Sequence, residues 1–206
     1  MSSPGKVFLV DDEPELRQAL ARLLKAEGFD VEGFGSAHEF LARVTEDTSG
    51  CLLLDLSMPG LDGLELQGRV AATGAKLGIV FLTGRGDIPT SVRAVRAGAL
   101  DFLTKPVRRD DLLQAVRAAL AHADAQRDAA DAGAALRRRY AQLTPREREV
   151  LVHVIAGRLN KVIAADLGTS EQTIKVHRSR VMEKLGVDSV ADLVRAAQQL
   201  GVAPVP

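Results

Sequence analysis

The chain has 206 residues, with 27 Lys plus Arg against 27 Asp plus Glu and no net charge. That balance excludes a uniformly basic nucleic-acid coat and a uniformly acidic disordered tail. A hydrophobic fraction of 46% suffices for a buried core, while six Phe, one Tyr and no Trp disfavour single-strand binding through stacked bases.

The N-terminal part alternates short apolar runs with helix-period segments. Residues 6–10 form the first strand candidate, followed by Leu16, Leu20, Leu23 and Leu24 on one helix face. Further strands are expected at 31–34, 51–54, 77–82 and 100–103. Further helices are expected near 37–45, 63–73, 88–98 (Ile88, Val92, Val95) and 109–121. Five βα units imply a parallel sheet covered by helices, an α/β domain over 1–122. Residues 123–140 are Ala-rich and read as a helical linker interrupted at Gly133 and ending in the arginine run 137–139, first a solvated charged surface and secondarily a phosphate contact. Residues 141–206 lose the strand pattern and read as four short helices at about 145–156, 160–167, 171–185 and 189–200. Thr144-Pro145 is an entry signal, and Gly157, Gly168, Gly186 and Gly201 follow helix ends.

Cys51 is the sole cysteine, which excludes an intramolecular disulfide and a multi-thiolate zinc site. It begins a strand and is expected to be buried and inert. His38, His122 and His153 have no metal-ligand spacing. The apolar run at 7–10 is too short for a secretion signal, so a cytoplasmic protein is expected.

The chemistry concentrates where the strands of the first part end. Open parallel sheets bind ligands beyond the carboxyl ends of their strands, where strand order reverses. Asp11 and Asp12 follow the first strand, Asp55 ends the third, Thr83 follows the fourth and Lys105 the fifth. With the order 2-1-3-4-5, a common one for such sheets, the three carboxylates converge. Their mutual repulsion calls for a hard cation, and Mg2+ suits oxygen ligands and retained waters. Asp55 can then attack phosphorus to form an acyl phosphate, with Lys105 and Thr83 neutralising the phosphoryl oxygens.

The segments VFLVDDEPELR, LLLDLSMPGLDGLEL and FLTGRGDIPTSVRAVRAGALDFLTKPV resemble the receiver domain of two-component response regulators, a flavodoxin-like (βα)5 fold. The resemblance implies that Asp55 is phosphorylated. It implies that Asp12, Asp55 and the Ser57 backbone carbonyl bind Mg2+ directly, with Asp11 acting through water. It also implies a switch through Thr83 and Phe102, where many receivers carry Tyr. Phe102 has no hydroxyl, so only the apolar inward–outward step remains to it. Arg85 and Ser57 occupy positions that tune dephosphorylation in the family.

In the last part, a helical wheel places Ile174, Val181 and Leu185 on one stripe, with Met182 on its flank. Lys175, Val176, Ser179, Arg180, Gln172 and Glu183 lie opposite. Arg178 falls toward the core side, where the wheel offers no role for it. An outward Val beside Lys suits a helix in a DNA major groove, although a plain helical bundle shows the same spacing. The helices at 160–167 and 171–185, joined through Gly168-Thr169-Ser170, form a helix-turn-helix pattern.

LTPREREVLVHVIAGRLNKVIAADLGTSEQTIKVHRSRVMEKLGV resembles the LuxR-type DNA-binding domain, and the whole chain the FixJ branch of NarL/FixJ regulators. The resemblance assigns base reading to Lys175 and Val176. Thr173, His177 and Arg180 become phosphate or rim contacts, while Ser179 stands where a basic residue is common. A sensor histidine kinase and double-stranded promoter DNA are the expected partners. Phosphorylation is expected to promote homodimerisation through the 88–98 and fifth-strand face, with the last helix pairing on DNA. The chain is expected not to be an enzyme beyond its own phosphoryl acceptance and slow autodephosphorylation. Two rival readings are a phosphorylation-independent regulator and an aspartyl-phosphate phosphatase. The second is disfavoured by Ser57, where such phosphatases carry a second Asp, and by the lack of a cap domain.

The zero net charge conceals a split. Residues 1–122 carry 17 acids against 14 bases, residues 123–139 carry 3 against 4, and residues 140–206 carry 7 against 9. A mildly acidic module precedes a mildly basic one.

Overall fold

The computed structural model describes residues 5–84 and 98–205. Residues 88–97 of the expected helix at 88–98 and Arg85 lie outside the described residues, while Gly98, at φ 96°, is a turn residue. The chain divides into two compact units, Met1–Asp128 and Ala129–Pro206.

In the first unit, strands β1 (Lys6–Val10), β2 (Asp30–Phe34), β3 (Ser49–Asp55), β4 (Lys76–Thr83) and β5 (Asp101–Thr104) form one sheet in the order β2-β1-β3-β4-β5. Every pairing is parallel. The central strands β3 and β4 are buried almost throughout, which is why they read as unbroken apolar runs rather than alternating ones.

Side chains of β1 alternate between two core layers. Phe8 and Val10 join Phe34, Phe40, Leu54 and Phe81 on one face, near helices α2 (Ala37–Leu41) and α3 (Gly63–Thr73). Val7 and Leu9 join Leu20 and Leu24 of α1 (Pro14–Ala26) on the other, with Leu112 and Val116 of α4 (Arg109–Ala141). α2 ends at Leu41, earlier than expected. At Gly78 the α4 backbone comes so close to β4 that a Cβ would lie 2.3 Å from the Ala119 carbonyl oxygen. Cys51 is fully buried, as expected, and burial pushes its thiol pKa up.

The expected break at Gly133 is absent, because α4 runs unbroken from Arg109 to Ala141. One glycine costs a helix only about 1 kcal/mol relative to Ala, and the surrounding alanines and arginines are strong helix formers.

In the second unit, α5 (Pro145–Ile155), α6 (Asn160–Asp166), α7 (Glu171–Leu185) and α8 (Val190–Gln199) enclose a core of Val150, Leu151, Val154, Ile163 and Leu193. Ile174, Val181 and Leu185 of α7 complete it, as the wheel anticipated. Thr144 and Glu147 close a capping box at the start of α5. Gly168, at φ 63°, provides the left-handed residue that turns the chain from α6 toward α7.

Candidate functional site

The crevice at the carboxyl ends of the strands is a cavity of about 500 Å3 lined by Asp12, Glu13, Asp55, Ser57, Thr83 and Lys105, among others. It lies where the order reverses between β1 and β3. Strand ends deliver each residue. β1 ends at Val10 and releases Asp11 and Asp12 into a loop, β3 ends on Asp55, and β4 ends on Thr83. Lys105 follows β5, and its N–H donates to the Thr83 carbonyl at 2.7 Å, which holds the two strand ends together.

Asp11 is fully buried and Asp12 exposed. Carboxylate oxygens of Asp11, Asp12 and Asp55 all lie within 4.8 Å of one another. Lys105 Nζ donates to Asp11 Oδ2 at 3.0 Å, Asp55 Oδ2 at 3.1 Å and Glu13 Oε1 at 2.9 Å. The Ser57 N–H donates to Asp55 Oδ1 at 3.2 Å. Burial raises the Asp55 pKa from its ordinary value, and the Asp11 charge adds to that; the Ser57 N–H and Lys105 oppose it. Burial works against the Lys105 charge, but hydrogen bonds to Glu13, Asp11 and Asp55 outweigh it and hold its pKa above the lysine range.

Phe102 is half-buried and stacks on Phe81, with ring centroids 5.1 Å apart. Strand register sets this contact, because Phe81 and Phe102 are paired across β4 and β5.

The second unit presents a different surface. Ser170 caps α7 by accepting the Thr173 N–H at 3.1 Å, and the hydroxyls of Ser170 and Thr173 are 2.8 Å apart. Lys175, Val176, Ser179 and Arg180 are exposed, Val176 by 41%. His177 is only half-buried, yet its Nδ1 is shielded and, among the described residues, has no hydrogen-bond partner. Arg178 now has a role: its guanidinium donates to Asn160 Oδ1 at 3.2 Å and ties α7 to the first residue of α6.

The sequence matches the response regulator receiver domain over residues 7–117 and the bacterial regulatory proteins of the luxR family over residues 141–197. The response regulator protein TodT of Pseudomonas putida is 43% identical over 194 residues, covering 94% of this chain and 86% of TodT. The transcriptional regulatory protein FixJ of Bradyrhizobium diazoefficiens is 38% identical over 202 residues, covering 98% of each. The solved structure of the response regulator StyR superposes with a TM-score of 0.82 at 42% identity, covering 96% of this chain and all of StyR.

The chain is a response regulator of the NarL/FixJ class. It is a two-component transcription regulator, not an enzyme of the ordinary kind, and the class implies a kinase partner and DNA. Among its described residues, no helix is long and apolar enough to cross a membrane.

Three features of the regulator escaped sequence reasoning. Glu13 is a third anion on Lys105, signalled only by being the third acid of the run after β1. Arg17 donates from α1 to the Asp11 carbonyl at 2.5 Å. Glu147 is buried and accepts from Lys184 Nζ at 2.6 Å, a partner 37 residues away that no local pattern announces. The arginine run 137–139 is also not wholly solvated, since Arg139 donates to the Leu185 carbonyl at 3.2 Å, where α7 ends.

Proposed function

We propose that Asp55 is the phosphoacceptor and that its phosphorylation by a sensor histidine kinase controls promoter binding by the helix-turn-helix unit. The observation that carries this reading is the gathering of Asp11, Asp12, Asp55 and Lys105 in one crevice that Thr83 also lines. The residues fit a magnesium ion. Octahedral oxygens at about 2.1 Å sit about 3–4 Å apart, so carboxylate oxygens within 4.8 Å need only small side-chain adjustment. Asp11, Asp12, Asp55 and the Ser57 carbonyl would hold the ion. When bound, magnesium supplies charge neutralisation on the phosphoryl oxygens.

The chain's own residues do the rest. An Asp55 carboxylate oxygen attacks phosphorus in line. The new O–P bond forms as the donor's P–N bond breaks, and the departing imidazole takes a proton from solvent. Lys105, already 3.1 Å from Asp55 Oδ2, moves its ammonium onto a phosphoryl oxygen, and the Thr83 hydroxyl donates to another. Phe102 exchanges its stacked position for an outward one, which favours homodimerisation on the fifth-strand face. Water attack on phosphorus later returns Asp55 to its free carboxylate.

Lys175 and Val176 read base edges in the major groove, while Thr173 and Arg180 contact phosphates or the groove rim and Ser179 stands exposed beside them where a basic residue is common. His177 plays a smaller part because its ring is partly buried. α8 pairs with its counterpart when two copies bind DNA.

Acetyl phosphate with Mg2+ should label the wild-type chain, and neither the Asp55→Asn protein nor wild type chelated beforehand should acquire the label. Labelled wild type should bind promoter DNA more tightly and as a dimer. Equal affinity and oligomeric state in wild type and Asp55→Asn would remove the switch. An unlabelled wild type would favour phosphorylation-independent binding.

A further inference from the structure

We infer that Arg17 is a positioning residue for the acidic site, holding the backbone that aims Asp12 at the cation. This rests on the magnesium reading above.

The loop after β1 is pinned at three points. The Asp11 N–H donates to the Phe34 carbonyl at 3.2 Å, so the loop leaves the sheet in register with β2. The buried Asp11 carboxylate accepts the Glu13 N–H at 2.8 Å through Oδ1, which closes a tight turn. The third pin is the Arg17 guanidinium, whose Nη1 donates to the Asp11 carbonyl at 2.5 Å. That carbonyl belongs to the peptide joining Asp11 to Asp12. Because a peptide is planar, fixing its oxygen fixes the direction in which the chain enters Asp12. Asp12 is the exposed member of the acidic trio, without the burial that immobilises Asp11. Its orientation therefore depends on its backbone.

The path of Arg17 from α1 to the loop follows the end of β2. The aliphatic stem of Arg17 runs past Gly33 of β2, where a Cβ would lie 3.4 Å from Arg17 Cδ. The guanidinium then passes Gly35, where a Cβ would lie 3.7 Å from Nη2. Gly33 of β2 and Gly35 just beyond it thus line the path of Arg17 from α1 to the loop at contact distance. Arg17 is only half-buried, and among the described residues it forms no ion pair within 4.0 Å. Among the described residues its polar contact is the loop carbonyl, which points to a role in the loop rather than in surface charge balance. A lysine is long enough to reach the same carbonyl with a single donor but lacks the planar fork.

The test is calorimetric titration of the full-length chain with MgCl2, comparing wild type, Arg17→Met, Arg17→Lys and Asp12→Asn. Residues that orient metal ligands typically cost about 10–100-fold in metal affinity when removed. Arg17→Met keeps the stem and loses the donor, so its magnesium Kd should rise about tenfold. Arg17→Lys should recover part of that loss, and the urea midpoint of the receiver unit should stay near wild type in both. Asp12→Asn should weaken binding more than either. If wild type binds magnesium, Asp12→Asn does not, and Arg17→Met binds like wild type, the positioning role is overturned while the site stands. The role also falls if Arg17→Lys is no better than Arg17→Met, or if affinity drops only in step with lost folding. If wild type shows no magnesium binding, both readings fall together.

Discussion

The buried Glu147–Lys184 pair offers a perturbation whose size follows from its geometry. The Glu147 side chain is 3% exposed and Lys184 is 32% exposed. Glu147 Oε2 accepts from Lys184 Nζ at 2.6 Å and from the Thr144 N–H at 2.8 Å, so one carboxylate links the capping box of α5 to the last turn of α7. Glu147→Ala removes a charge-assisted hydrogen bond, worth about 1.5–3 kcal/mol, and one arm of the box, a fraction of about 1 kcal/mol. Lys184 regains some water, so the net loss should be about 2–3 kcal/mol. In a unit of this size that lowers Tm by roughly 10–20 °C.

Tyr140 reports this unit alone. It is the sole tyrosine of a chain without tryptophan, and it packs against the helical core. Its fluorescence, excited beyond phenylalanine absorption, should lose its transition early in Glu147→Ala. Lys184→Met should cost a similar amount, and the double variant Glu147→Ala/Lys184→Met less than the sum.

Acid supplies the second check. Burial alone would raise the Glu147 pKa, but Lys184 and the Thr144 groups outweigh it, so the pKa is lowered on folding. A carboxylate depressed on folding contributes stability that is full above its unfolded pKa and is lost as pH falls through its folded value. The gap between wild type and Glu147→Ala should therefore hold at neutral pH and shrink below the ordinary glutamate range. Additive single variants, or a gap that persists in acid, would refute the reasoning.

Other expectations follow from the same geometry. Gly78→Ala should destabilise the receiver unit by about 1–3 kcal/mol, read by urea titration of its far-ultraviolet signal, because the new methyl meets the α4 backbone at Ala119 rather than a side chain that can turn away; a wild-type midpoint would contradict this. Ser170→Ala should cost about 1 kcal/mol in the Tyr140 transition through loss of the α7 cap, and Ser170→Asp should restore it. Lys175→Ala should weaken promoter binding by about 1–3 kcal/mol while changing affinity for unrelated DNA much less; equal losses on both would make Lys175 a phosphate contact. Raising salt should weaken binding of both DNAs, with a log–log slope proportional to the phosphates neutralised.

Local patterns in the chain carried most of this protein. Apolar runs marked five strands because central parallel strands are buried on both faces, and the α7 stripe marked Ile174, Val181 and Leu185 because a helix repeats every 3.6 residues. Asp11, Asp12, Asp55, Thr83 and Lys105 were legible because a parallel sheet brings all its carboxyl ends to one edge. In the linker it was the break at Gly133 that was misread, because one glycine weighs heavily in a local pattern and little in a long alanine-rich helix. Contacts between residues distant in the chain were another matter. Nothing in the order of residues said that Lys105 is shared with Glu13, that Arg139 meets the end of α7, or that Arg178 reaches Asn160. Periodicity reports which face of an element is buried. Which long polar side chain reaches which carbonyl or carboxylate depends on the distances left after the elements pack, and only the folded chain sets those.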